Sequence, residues 1–88
     1  MAEKSFTLEI RTPHRKVFAG SVVSLTAPGA LGYLGVLANH APLVTTLVPG
    51  KVTYRDPEGR ATTLPSAGNG LLEVYHNRVT LLADEIAQ

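Results

Sequence analysis

The 88 residues contain no cysteine and no tryptophan. The first absence excludes disulfides, thiolate metal sites and a cysteine nucleophile, so packing alone must hold the fold. Net charge is scarce as well: eight Lys and Arg stand against seven Asp and Glu, leaving +1. A binder of phosphate backbones carries a strongly basic face, so no nucleic-acid partner is expected. The N-terminus, with Glu3 and Lys4, lacks the apolar run of a signal peptide. What is present is 44% hydrophobic and 17% charged, too apolar for disorder. The length supports one core, so a single domain over 1–88 is expected, monomeric when isolated.

Between Lys16 and Lys51 no residue carries a formal charge, and Tyr33 and His40 are the only titratable side chains. The stretch is long enough to cross a bilayer. However, Gly20, Gly29, Gly32, Gly35 and Gly50, with Pro28, Pro42 and Pro49, interrupt it. A helix broken so often would leave backbone groups unsatisfied in lipid. The expectation is a soluble protein with no direct membrane insertion, acting on the side where it is made.

Period 2 dominates. Phe6, Leu8 and Ile10 alternate with Thr7, Glu9 and Arg11 as in a half-buried strand ended by Pro13. Val17 to Ala27 reads as a second strand with a bend at Gly20, followed by a Pro28-Gly29 turn. Leu31 to Leu37 and Leu43 to Val48 follow. Lys51 to Arg55 and Arg60 to Leu64 flank Asp56-Pro57-Glu58-Gly59, a hairpin loop with Pro early and Gly late. Leu71 to Tyr75 and Val79 to Ala83 form another hairpin around His76-Asn77-Arg78, with Asn77 suited to a left-handed conformation. The prediction is all-β: a flattened two-sheet antiparallel sandwich of about 8–10 short strands. Leu81 to Ala87 could at most begin a helical turn.

No chemistry of an enzyme emerges. His14, His40 and His76 lack the i, i+2 or i, i+4 spacing of metal ligands on one element. Ser66, His40 and Asp84 are nominally a triad, but no nucleophile elbow accompanies them. Asp56 and Glu58 sit beside Arg55 and Arg60 in a turn where charges compensate one another. Gly29, Gly32 and Gly35 mimic a phosphate cradle without the lysine and helix such a site needs. These glycines, with Gly50, are read instead as structural: positive φ in turns, or close approach of another chain. No cofactor is expected. Pro28 to Pro42 places Leu31, Tyr33, Leu34 and Leu37 in uncharged surroundings, and about half of them should reach the surface and meet a partner.

The run from Gly32 to Leu43, Gly-Tyr-Leu-Gly-Val-Leu-Ala-Asn-His-Ala-Pro-Leu, resembles the Gly-Glu-Leu-Gly-Ile-Leu-Pro-x-His-Ala-Pro-Leu signature of the epsilon subunit of F-type ATP synthases. Val17-Phe18-Ala19-Gly20, Val22 to Gly29, Leu47-Val48-Pro49-Gly50, Gly70 to Val74, Asn77 and Val79 to Asp84 extend the resemblance from Phe6 to about Ile86. The resemblance implies a flattened β-sandwich in the central rotor, gripping the foot of the γ subunit and resting on the ring of c subunits. The resemblance further implies a subunit that is non-catalytic in itself, peripheral, and on the cytoplasmic side of the bacterial membrane. Tyr33, Leu34, His40, Ala41, Pro42 and Leu43 are the residues expected to meet the c ring. Two residues depart from the signature. Tyr33 replaces an acid, so an aromatic contact would stand in for a charge pair. Ala38 replaces a proline, which removes a φ restraint from the loop. The family's C-terminal helical pair is not expected in this chain, and with it an inhibitory or ATP-binding arm. The competing readings are a free-standing β-sandwich interaction module and a small hydrolase built on His40.

Overall fold

Strands account for every regular element in the computed structural model, which describes residues 4–87; Glu3 and Gln88 lie outside them. The order is β1 (Phe6–Arg11), β2 (Lys16–Val22), β3 (Ser24–Gly29), β4 (Gly32–Leu37), β5 (Leu43–Leu47), β6 (Gly50–Arg55), β7 (Ala61–Tyr75) and β8 (Arg78–Ile86). The all-β sandwich expected from the alternation is therefore the fold, and its extents of 38 × 25 × 20 Å make it flattened. The strands form one hydrogen-bonded path that folds over itself: one layer runs β2-β1-β8-β7-β5, and the other places β4 and β6 on β3, joined to the first where Leu47 of β5 meets Gly29 of β3 and where β6 pairs β7. Strand β7 belongs to both layers: Ala61 to Ser66 pair with β6, and Gly70 to Val74 with β5. All neighbours are antiparallel except β1 and β8, which run parallel from Thr7 opposite Arg78 to Arg11 opposite Leu82.

Alternation explains which face is buried. Phe6, Leu8 and Ile10 of β1 pack with Leu72, Val74, Val79 and Leu81 of β7 and β8. Leu25, Val36, Val52 and Leu64 line the facing layer. Phe18 stacks on Tyr54 with ring centroids 4.4 Å apart, joining β2 to β6 across the sandwich. Outside, Glu9 accepts from Arg11 at 2.9 Å and lies 4.0 Å from Lys16. Such exposed pairs contribute about 0–1 kcal/mol, so the stability resides in the apolar layers.

Three segments differ from the sequence reading. The expected strand from Val17 to Ala27 divides at Val23, where Val22 and Val23 are both buried. Two consecutive inward residues break the period, and the chain there leaves β1 for the neighbourhood of β6, the Val23 N–H donating to the Arg55 carbonyl at 2.8 Å. The turn expected at Pro28-Gly29 falls at Ala30-Leu31, closed by Gly29 opposite Gly32. The segments Arg60 to Leu64 and Leu71 to Tyr75 are one 15-residue strand. Its register shifts between Ala67 and Gly70, where Gly68 has φ 74°, a bulge that bends β7 from one layer into the other. Pro65 fits inside it because its carbonyl accepts from Ala87, so its ring nitrogen faces past the end of β8, where no ladder donor is needed. Leu81 to Ile86 continue as strand rather than beginning a helical turn.

Candidate functional site

The Gly29 to Leu43 segment forms one edge of the sandwich. Among the described strands β4 pairs only with β3, and the turn at its start presents Leu31, which is fully exposed. Gly29, Leu31, Gly32, Tyr33, Leu34, Leu43 and Thr45 line an open groove of about 280 Å³ between β4 and β5. Gly32 is required by conformation, at φ 126°. Gly29 is required by space: a Cβ there would lie 2.7 Å from Leu34 Cδ2 and 2.8 Å from the Gly32 carbonyl. Gly50 likewise admits Tyr33 and Pro28, whereas Gly35 has room for a methyl group. Of the four glycines read as structural turn residues, only Gly32 has positive φ.

The six residues expected at the partner face divide between two hollows. Tyr33, Leu34 and Leu43 border the groove. His40, Ala41 and Pro42 border a second, more polar hollow of about 340 Å³ with Asn39, His76 and Asn77. The chain passes from one hollow to the other at Pro42-Leu43. Tyr33 is 59% exposed, and its hydroxyl accepts the Lys51 N–H at 2.9 Å. Leu34 and Leu43 are half-buried and packed against the core, so they shape the groove more than they project from it. His40 Nδ1 donates to the Ala41 carbonyl at 2.7 Å, since a carbonyl can only accept.

The nominal triad is not assembled. Ser66 is buried at the β6 end of β7, while His40 shares its hollow with His76 beyond the other end. Ser66 lies opposite Ile86 at the end of β8, whereas His76 and Asn77 form the turn at its start, so the length of the β7–β8 ladder separates the two. Asp84 accepts from the Asn69 N–H at 3.1 Å. Among the described residues no group of three or more His, Asp or Glu could hold a metal ion. Asp56 accepts the Glu58 and Arg60 N–H groups at 3.0 and 2.9 Å, so that turn is closed by backbone donors and not by the arginine charges.

A further apolar surface lies on the outer face of the first layer. Leu71 and Leu82 are cross-strand partners there. With Arg11, Thr12, Pro13, Gly70, Ala83 and Asp84 they border a shallow depression of about 280 Å³. Val44, 66% exposed, continues the face on β5. The sequence reading missed Leu82 and Val44, because an exposed apolar residue in an alternating strand looks like any outward position until its cross-strand neighbours are known.

The model for the β-sandwich domain of the ATP synthase Delta/Epsilon chain matches residues 5–88. The chain belongs to this family. It is 48% identical over 84 residues to the ATP synthase epsilon chain of Pelotomaculum thermopropionicum, covering 96% of this chain and 61% of that one. Over 83 residues it is 41% identical to the epsilon chain of Dichelobacter nodosus, covering 94% and 57%. The chain thus spans about three-fifths of the length of these relatives. Its fold matches a chain in the mitochondrial ATP synthase of Euglena gracilis, solved with OSCP, F1 and c-ring, at TM-score 0.89 and 20% identity, covering 99% of this chain and 55% of that one. A chain in the central stalk and c-ring assembly of the Tetrahymena thermophila enzyme matches at TM-score 0.80 and 14% identity, covering 100% and 69%. No helix among the described residues is long and apolar enough to cross a membrane.

Proposed function

We propose that this chain is the β-sandwich coupling module of a bacterial F-type ATP synthase rotor, a non-catalytic stalk component that joins the γ subunit to the c ring. It would sit peripherally on the cytoplasmic side of the membrane. The observation that carries the reading is the family match from residue 5 to 88, which leaves no part of the sandwich unassigned. Two separate apolar surfaces support it. The groove beside Leu31 and Tyr33 and the outer face at Leu71 and Leu82 suffice for two partners at once. In this reading Tyr33, Leu34 and His40 to Leu43 form the ring-facing side, with Leu31 added as its most exposed apolar group.

The test is reconstitution. The 88-residue chain is added to a γ-containing catalytic head and a c ring that lack an epsilon subunit. Expected are a stable ternary assembly and ion-driven ATP synthesis above the level without the chain. A chain that binds neither γ nor the ring, yet captures an unrelated soluble protein, would instead be a free-standing interaction module.

A further inference from the structure

Two asparagines, distant in sequence, hold each other beside His40. The Asn39 N–H donates to Asn77 Oδ1 at 2.5 Å, and Asn77 Nδ2 donates to Asn39 Oδ1 at 3.0 Å. The backbone donor fixes which side of the Asn77 amide must be oxygen, and its nitrogen then meets the side-chain oxygen of Asn39. Both residues are left-handed, at φ 66° and 59°, a conformation that asparagine tolerates better than most side chains. The Asn77 carbonyl also accepts the Thr7 N–H at 2.9 Å. One residue of the β7–β8 hairpin thereby ties the loop between β4 and β5 to the start of β1. That loop carries Ala38 where the resembling signature has proline, so no ring fixes φ at that position.

We propose that Asn77 is a positioning residue: its amide clasps Asn39 and holds residues 38–42 in the conformation that presents His40, Ala41 and Pro42. The clasp acts on the same loop that a proline at position 38 would restrain through φ. Its relevance to a partner rests on the proposed docking of this loop, but the clasp itself is a property of the isolated chain. A restraint of this kind acts by pre-organisation, leaving less loop entropy to be lost on binding.

Asn77→Gly tests the clasp without breaking the hairpin, since glycine keeps the left-handed turn and lacks only the amide. Hydrogen exchange in the isolated chain should quicken by roughly tenfold or more in Asn77→Gly at the Asn39 N–H, which loses its acceptor, and at the His40 N–H, whose bond to the Leu37 carbonyl at 3.2 Å lies in the clasped loop, since opening the loop then breaks one interaction fewer. The amides of Leu8, Leu72 and Leu81 should keep their protection. Adding Ala38→Pro to Asn77→Gly should slow His40 exchange again, which a merely stabilising role for Asn77 would not produce. Unchanged exchange at 39 and 40 in Asn77→Gly overturns the proposal, and so does a double variant that opens as readily as the single one. Binding of the same variants to a γ–c-ring assembly separates the two readings. Affinity that falls with Asn77→Gly and returns with Ala38→Pro supports both. Quickened, proline-rescued exchange with unchanged affinity supports the clasp and overturns docking through this loop.

Discussion

The Tyr33 hydroxyl accepts the N–H of Lys51 at 2.9 Å, so an aromatic ring that is mostly in solvent is anchored at its tip to the first residues of β6. Gly50 makes this possible. A Cβ there would lie 2.6 Å from the Tyr33 oxygen and 2.7 Å from Pro28 Cβ. The exposed ring, the proline beneath it and the glycine form one packed unit at the open side of the second layer. The ring is therefore presented in a fixed pose, at little entropy cost to a partner that stacks on it.

Tyr33→Phe removes only the bond. The Lys51 N–H is solvent-accessible and water replaces the hydroxyl, so the loss should be about 0.5–1 kcal/mol. Gly50→Ala should cost more than about 1 kcal/mol through overpacking against Pro28 as well as Tyr33. In a double-mutant cycle, Tyr33→Ala should recover part but not all of the Gly50→Ala loss, measured by urea midpoints. Strict additivity of the two changes would show that the ring and the glycine do not share space.

The hairpin at Asp56 separates a backbone role from a charge role. Its carboxylate oxygen accepts two backbone N–H groups, whereas the sequence suggested compensation with Arg55 and Arg60. Asp56→Ala should lower stability by about 1 kcal/mol, a fall of roughly 4–8 °C in Tm for a domain of this size. Asp56→Asn keeps the oxygen and loses the charge, so its Tm should stay close to that of the parent. An Asn variant as unstable as the Ala variant would restore the charge explanation.

Glycines at two positions should respond to the same substitution very differently. Gly59 is at φ 89° with no atom within 4 Å of where a Cβ would lie, so Gly59→Ala costs conformational strain alone, about 1–2 kcal/mol. At Gly70 the methyl group would strike the Leu82 carbonyl oxygen and come within 3.2 Å of Ala83 Cα. Both are backbone atoms of β8 and cannot rotate away. Gly70→Ala should therefore cost more than about 3 kcal/mol or prevent folding altogether. Equal losses at 59 and 70 would contradict the close pairing of β7 and β8 at the bulge.

The strands legible in the sequence were those that alternate without interruption. Phe6–Arg11 came through because Leu8 and Ile10 are flanked by polar residues on both sides, and the Asp56 to Gly59 loop because its turn residues stand in the positions their φ values require. The long β7 was not legible. Pro65, Gly68 and Gly70 look like punctuation, and only the bend of one strand between two layers gives them places inside it. The parallel pairing of β1 with β8 joins residues some 70 positions apart, and no local pattern encodes it. For the candidate site, the uncharged segment marked a stretch that the structure lays along an open side of the sandwich. Alternation alone could not tell that Leu34 turns inward while Leu31 stands clear at the turn, since that depends on the turn falling at Ala30-Leu31 rather than at Pro28-Gly29.

That difference between Leu31 and Leu34 gives the sharpest test of the docking surface. Leu31 is fully exposed, so Leu31→Ser removes nothing from the core and Tm should move by no more than about 2 °C. Leu34 packs against the buried cluster while only partly covered. Leu34→Ala should therefore lower stability by about 1–2 kcal/mol, less than a fully buried leucine would. A variant at Leu34 thus confounds binding with folding, and Leu31→Ser does not. If the groove between β4 and β5 faces the ring, Leu31→Ser should weaken association with a γ–c-ring assembly by about 1–2 kcal/mol, roughly 5- to 30-fold in Kd, as for an apolar anchor at an interface. The loss should appear mainly as faster dissociation, because no charge that steers encounter has changed. Val44→Ser is the control on the other apolar surface, exposed on the outer face of β5. Full affinity in Leu31→Ser together with a loss in Val44→Ser would move the ring-facing side to the outer face of the first layer, and the groove would then be a by-product of two sheet edges that fail to meet.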